Sequence, residues 1–393
     1  MLATIDLEGL GLEEGAHLLI QRALDPLPVG AGVEVQGRHP ALAVHVAAWA
    51  RARGHGVDLD GVAPVVTKGT AHDARWRSAE RAGGPGVSGV VERAPARWGL
   101  AARGALVEAG GPPLNADLVE REVVWSDLAP KLYAQAAAGQ WDPAKAIDWE
   151  DPFELQPDVE AAVVQVMTYL IENEQAALVV PARFVARLHP HFREVMQLLA
   201  IQVADEARHI EVFTRRGLLR TGELGTSGAG GRASLQTLVD EPDFSLGSFL
   251  LSVLGEGSFL NLLSFLERHA PDPVTRRVAH LALQDEARHV AFGVGHLERS
   301  VKANPSLRGR LRLAMERRHT ALSDTAGLNE EVFDSLVILA AGAWTPEAIA
   351  TGWAKVQTLQ DEMDEGRRRR LGRLGFPPGE AADLSALHTK NFM

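Results

Sequence analysis

The chain contains no cysteine. That absence excludes disulfides, thiolate zinc sites, cysteine-ligated iron–sulfur clusters and a cysteine nucleophile. Any bound metal must be held by His, Asp, Glu or backbone oxygen. Tyrosine is nearly as scarce, with Tyr133 and Tyr169 the only two in 393 residues. Positive charge is in deficit: 40 Lys and Arg against 51 Asp and Glu give a net charge of −11. Such a chain is a poor non-specific binder of nucleic acid. Long hydrophobic runs are missing too. The longest, Leu336 to Trp344, is far short of the ~20 residues that span a bilayer. The first ten residues carry Asp6 and Glu8 and no basic residue, unlike a secretory signal. Together these absences predict a cytoplasmic protein with no nucleic-acid partner and no membrane association.

What is present is a globular composition, 46% hydrophobic and 23% charged. At roughly 150 residues per domain, the length suggests two or three domains. Residues 1–112 read as a small α/β domain with a connector. Ala3–Leu7 and Gly32–Gln36 are strand candidates, and Glu13–Leu24 and Ala41–Ala52 are helix candidates. Gly104–Ala109 reads as a further strand, and Pro112-Pro113 marks the boundary. Residues 113–393 are mainly helical, with apolar residues at i, i+3, i+4 and i+7. A core bundle is expected over about 157–300, followed by C-terminal helices over 304–393. Thr226–Arg232 reads as a flexible connection. Arg367–Arg370 reads as a solvated helix end that suits the macrodipole. Pro181 is expected to kink or end its helix.

One internal repeat carries the chemistry. Asp205-Glu206-Ala207-Arg208-His209 recurs as Asp285-Glu286-Ala287-Arg288-His289. On a helix, positions i and i+3 lie about 60° apart around the axis, so each Glu and its His share a face. That face is otherwise apolar, with Leu199 and Phe213 in the first copy and Val290 in the second. Each copy is preceded by a helix with its own glutamate on the apolar stripe, Glu174 and Glu256. Glu174 stands 32 residues before Glu206, and Glu256 stands 30 before Glu286. Either spacing lets one helix end and its partner return to the same height. Glu14/His17 and Glu316/His319 share the E-x-x-H spacing without that context, and read as chance surface pairs.

Four Glu and two His inside a four-helix bundle can hold two divalent metals. Oxygen-rich donors with one imidazole per metal suit iron or manganese. A metal-free ion-pair network is disfavoured, because no Lys or Arg on those stripes balances the buried charge. Gly255 and Gly257 flank Glu256 and allow a helix distortion, room for O2 or substrate, or close helix packing.

On Glu174, Glu206/His209, Glu256 and Glu286/His289 the chain resembles the ferritin-like dinuclear-iron carboxylate superfamily, over about residues 117–300. The doubled D-E-x-R-H form is similar to hydroxylase subunits of bacterial multicomponent monooxygenases and to acyl-carrier-protein desaturases. The resemblance implies two Fe ions, with Mn or mixed Mn/Fe as variants. It implies that Glu206 and Glu286 bridge the metals, with Glu174 and Glu256 more terminal. It also implies that Asp205 and Asp285 hold the imidazoles by hydrogen bonds. Arg208 and Arg288 are expected to pair with carboxylates at the helix edge. O2 and a small organic substrate are the implied reactants and a homodimer the implied assembly, while no electron donor is indicated.

Departures narrow the resemblance. Phe213 stands where a ribonucleotide reductase small subunit carries its radical tyrosine. Phe259 and Leu260 replace the threonine of monooxygenases and desaturases. Ala282 replaces the additional histidine of arylamine N-oxygenases. The front of the chain, from Ile5 through His39-Pro40-Ala41 to Arg51, resembles the small TusA-type sulfur-carrier fold. Leu12-Glu13-Glu14-Gly15 stands where that family carries C-P-x-P, so no persulfide chemistry is expected. The expected architecture is therefore mainly α, a ferritin-like bundle with extra helices behind a small α/β domain. The expected function is that of an O2-dependent non-haem diiron oxidase or oxygenase. The competing readings are a ferritin-like ferroxidase, a non-redox dinuclear hydrolase and a metal-stabilised binding module.

Overall fold

Residues 2–323 and 330–387 are described by the structure, a computed structural model. Met1, 324–329 and 388–393 of the regions assigned above lie outside the described residues. The chain divides into two compact units. The first comprises Met1–Gly89 and Arg97–Leu114, and the second Val90–Ala96 and Asn115–Met393.

The first unit runs β1 (Ala3–Asp6), α1 (Ala16–Leu24), β2 (Gly32–Gln36), α2 (Leu42–Ala52), β3 (Gly56–Asp58) and β4 (Val65–Thr67). A short helix α3 (Ala71–Trp76) and a two-stranded ribbon, β5 (Glu80–Arg81) with β6 (Leu106–Val107), complete it. The sheet order is β1-β2-β4-β3, with β1 and β2 parallel and the other pairs antiparallel. The alternating strand Gly-Val-Glu-Val-Gln buries Val33 and Val35, against which Ile20, Leu24 and Val46 pack. Strands β3 and β4 have three residues each, too few for alternation to show in the sequence. The strand expected over Gly104–Ala109 contracts to β6.

The second unit contains α4 (Arg121–Val124), α5 (Ala129–Ala138), α6 (Pro157–Val185), α7 (Arg193–Leu218) and α8 (Ala229–Val239). Next come α9 (Phe244–Ser248), a π-helix (Phe249–Gly255) and α10 (Glu256–His269) in direct succession, then α11 (Pro273–Ala303). The remaining helices are α12 (Leu307–Ser323), α13 (Glu330–Ala341), α14 (Pro346–Arg373) and α15 (Pro378–Ala386). Helix α6 packs along α7, α10 packs along α11, and α7 and α11 meet at the centre, which makes a four-helix bundle. Helix α13 lies on α6, and α14 lies on α10 and α13. Starts are set locally: Asp243, Asp272 and Thr345 each accept a hydrogen bond from the backbone N–H three residues on.

Several local expectations need correction. Helix α6 does not end at Pro181 but runs four residues further to Val185. The segment Thr226–Arg232 is not wholly a connection, because α8 begins at Ala229 despite Gly230 and Gly231. Arg367–Arg370 is not a solvated end. Arg367 is 1% exposed and donates to the Ser385 carbonyl, while Arg370 Nε donates to the Val253 carbonyl at 2.7 Å. That run alternates, since Arg368 and Arg369 are exposed and pair with Asp364 and Glu365. The unbroken stretch Phe244–His269 is long and apolar enough to span a membrane, which the run-length argument missed. Its most apolar window is 78% buried inside the protein, as a core helix is.

A buried network ties the bundle ends together. The fully buried Arg216 guanidinium donates to both Glu160 oxygens at 2.6 and 3.0 Å. It also donates to Asp272 Oδ2 at 2.9 Å and to Thr275 Oγ1 at 2.8 Å. Helices α6, α7 and α11 are thereby joined through one cation.

Candidate metal centre

The site is built by the four bundle helices, each contributing from its buried stripe. Glu174 comes from α6, Glu206 and His209 from α7, Glu256 from the first position of α10, and Glu286 and His289 from α11. All six side chains are at most 4% exposed. They form two overlapping groups, Glu174/Glu206/His209/Glu286 and Glu206/Glu256/Glu286/His289. Glu206 and Glu286 belong to both.

The distances show how the shared carboxylates are oriented. His209 Nδ1 lies 3.2 Å from Glu206 Oε2 and 3.3 Å from Glu286 Oε1. His289 Nδ1 lies 3.1 Å from Glu206 Oε1 and 3.4 Å from Glu286 Oε2. Each of these carboxylates therefore presents one oxygen to either imidazole. Glu174 Oε1 approaches His209 alone, at 3.6 Å. Glu256 stands with His289, and Gln202 Nε2 donates to its Oε1 at 2.8 Å.

These six residues fit a pair of cations. Eight of their polar atoms are buried without a hydrogen-bond partner: both oxygens of Glu206 and Glu286, Glu174 Oε1, Glu256 Oε2, and both His Nδ1 atoms. Unsatisfied buried polar atoms are rare because they forfeit their solvation. Here they converge on two points. Burial, and the neighbouring carboxylates Glu286 and Glu206, push the Glu174 and Glu256 carboxyls well up. Burial would depress the His209 and His289 rings, but the surrounding carboxylates raise both well above their ordinary value. Glu206, despite its burial, is held below the usual carboxylate range by the His289 and His209 rings.

The ring orientation is set from outside, and the pairing is crossed. His209 Nε2 lies 3.1 Å from Asp285 Oδ2, and His289 Nε2 lies 3.2 Å from Asp205 Oδ2. Each aspartate serves the histidine of the other repeat. A proton on Nε2 leaves the Nδ1 lone pair facing the carboxylates. Arg208 and Arg288 do not reach out to the helix edge. Arg208 donates to Asp205 Oδ1 at 2.5 Å and to Asp285 Oδ2 at 2.8 Å, and Arg288 bonds Asp285.

Two further residues complete this layer, and sequence reasoning missed both. Gln140 Nε2 donates to Asp205 Oδ1, and Trp141 Nε1 donates to Asp285 Oδ2, each at 2.8 Å. Trp141 also lies nearly parallel to the His209 ring. Trp141 and Asp285 are 144 residues apart, so nothing local in the sequence signals the contact. The two lone E-x-x-H pairs stay apart from the centre. Glu14 caps the Gly11 N–H, and Glu316 pairs with Arg312.

On the side of Glu174, Glu256 and Glu286 a narrow cavity opens, with accessible space of about 20 Å³, room for about one water. Ala177, Leu235, Leu238, Leu251 and Phe259 make its wall apolar, and Gly255 and Asn173 complete it. The π-helix accounts for this geometry. It widens one turn directly before Glu256. Arg370 takes the Val253 carbonyl of that turn, and its guanidinium occupies the space where a Gly257 Cβ would stand. Gly293 lets α11 approach the same turn, since a Cβ there would meet Ser252 Cβ at 2.2 Å. Of the anticipated roles of the glycine pair, distortion is seen in the π-helix that ends at Gly255 and close packing at Gly257.

No protein-family model matches the chain, and no curated protein matches it. Among solved structures the chain is similar to a variant of an R2-like ligand-binding oxidase with an aerobically reconstituted Mn/Fe cofactor. That likeness has a TM-score of 0.50 and 17% identity, and covers 63% of this chain and 95% of that one. Another variant of the R2-like ligand-binding oxidase, with an aerobically reconstituted Fe/Fe cofactor, gives a TM-score of 0.48, 16% identity, and 63% and 94% coverage. The R2-like ligand-binding oxidase from Sulfolobus acidocaldarius gives 0.43 and 17%, covering 65% of this chain and 94% of that one. The first of these likenesses shows the ferritin-like helical fold.

Proposed function

We propose that the chain is an O2-dependent non-haem dinuclear-metal oxidase or oxygenase acting on a small, largely apolar organic substrate. The observation that carries this reading is the orientation of Glu206 and Glu286, each with one unpartnered buried oxygen toward either histidine. That is a donor set for two cations sharing two carboxylates. In this reading Glu206 and Glu286 would serve both metals, Glu174 and Glu256 would each serve one, and His209 and His289 would supply one nitrogen each. Such donors suit two Fe ions, or Mn with Fe, and the Mn/Fe and Fe/Fe cofactors of the similar oxidases support the choice. When bound, the metals supply the redox chemistry toward O2. The protein's own part is to exclude water with the Leu235, Leu238, Leu251 and Phe259 wall, and to hold Glu256 through Gln202. The apolar wall beside the carboxylates favours an organic substrate over the ferroxidase reading, in which metal itself must pass.

The test is O2 consumption. The iron-loaded, reduced protein is expected to take up O2 with transient charge-transfer absorption, and Glu206→Ala protein is expected to take up none. A reduced, iron-loaded protein that leaves the O2 concentration unchanged would overturn the reading.

The crossed aspartates yield a second expectation. Asp285→Asn should weaken metal retention about 10–100-fold in a chelator competition. The perturbed imidazole should be His209, from the other repeat. Release at the same chelator concentration as the unaltered protein would deny Asp285 this role.

The first unit's helix–strand order supports the reading of a sulfur-carrier-like module. Without cysteine it has no carrier chemistry.

A further inference from the structure

The first unit gathers a second set of ligating side chains. Glu13 lies in the turn between β1 and α1, His39 precedes α2, and His45 is in the first turn of α2. Glu13 Oε1 is 3.1 Å from His39 Nε2, and Glu13 Oε2 is 3.3 Å from His45 Nδ1. The two rings stack with centroids 5.7 Å apart and planes 30° apart. One ligand atom from each residue lies within 4.8 Å of the other two.

A Cβ on Gly11 would stand 2.6 Å from Glu13 Oε1 and 2.7 Å from its Cδ, so the carboxylate folds back against the Gly11 backbone. The side chains are 24%, 41% and 54% exposed for His39, His45 and Glu13, so the open side faces solvent.

Glu13 reaches the two nitrogens through different oxygens, so the carboxylate has to turn for one oxygen to serve with both, and one ligand atom from each residue already lies within 4.8 Å of the other two. The geometry points to a binding site for one divalent transition-metal ion, best suited to zinc, held by Glu13, His39 and His45 with a fourth position open to water. One local cost is visible. His39 Nδ1 accepts the Ala41 N–H at 3.2 Å, and ligation through Nε2 would move a proton to Nδ1 and give up that bond. A single long hydrogen bond at a half-buried position is small beside a zinc–imidazole bond. The site owes nothing to the dinuclear centre, whose ligands all lie in the second unit.

The test compares the full-length protein with the His39→Ala/His45→Ala double variant. Both are dialysed against zinc alone and their metal is counted by mass spectrometry. The unaltered protein is expected to hold one zinc per chain more than the variant, whatever else binds. Loading with Co2+ should give visible tetrahedral d–d bands that the variant loses. The altered residues are partly exposed, and circular dichroism melting checks that the variant folds. Equal zinc counts in the two proteins would overturn the site.

Discussion

Glu206→Ala protein is expected to purify with about no metal, whereas Glu174→Ala protein is expected to retain about one ion of the pair. The contrast follows from which imidazole each carboxylate faces. Glu206 lies 3.2 Å from one Nδ1 and 3.1 Å from the other, so its loss withdraws a donor from both positions. Glu174 approaches only His209, so its loss withdraws a donor from one. Glu286→Ala should behave like Glu206→Ala, and Glu256→Ala like Glu174→Ala. The measurement is metal per chain after reconstitution with excess Fe(II). Metal binding to the folded state also raises stability by mass action, so the melting temperature should rise with metal in the unaltered protein and not in Glu206→Ala. Full metal content in both Glu206→Ala and Glu286→Ala would mean that the six residues are not the ligands.

Arg216→Met is expected to destabilise the protein by about 3–5 kcal/mol while removing none of the six clustered side chains. Arg216 is fully buried, and its guanidinium answers both Glu160 and Asp272. Methionine fills much of the volume but leaves two buried carboxylates without their cation, the costly direction in which to break such a network. Asp272 is also the N-cap of α11, so its displacement would loosen the start of the helix that carries Glu286 and His289. Arg215→Met provides the control. That side chain is exposed and lies over the Trp149 ring, a contact worth about 0.5–1 kcal/mol. Urea unfolding of the metal-free proteins measures both. A difference between the two variants below about 1 kcal/mol would show that the network contributes specificity rather than stability.

The long helices and the six clustered side chains were legible because each signal is periodic and local. The E-x-x-H spacing and its apolar neighbours put Glu206 with His209 and Glu286 with His289. The stripe positions of Glu174 and Glu256 extended that to four helices. What stayed hidden depends on contacts between distant segments. The crossing of Asp205 and Asp285 requires knowing how α7 and α11 face each other. Trp141 and Gln140 come from a loop with no pattern of its own. Arg367 was misread because a basic run near a helix end usually faces water. Its burial depends on α15, whose Ser385 carbonyl it meets. Helix α8 was missed because Gly230 and Gly231 weigh against helix in any local reading, and Leu238 is fixed by packing against the bundle instead.

The crossed aspartates make the two repeats interlock. Neither D-E-A-R-H segment supplies the Nε2 partner of its own histidine, because that aspartate belongs to the other segment. A half-bundle excised with one segment would carry a glutamate and an imidazole but lack the acceptor that turns Nδ1 inward. It would regain that acceptor only by associating with a second half, each lending its aspartate to the other. The two rings are therefore oriented by the duplicated pair together, and a lesion in one repeat is felt first as a misaligned ring in its twin.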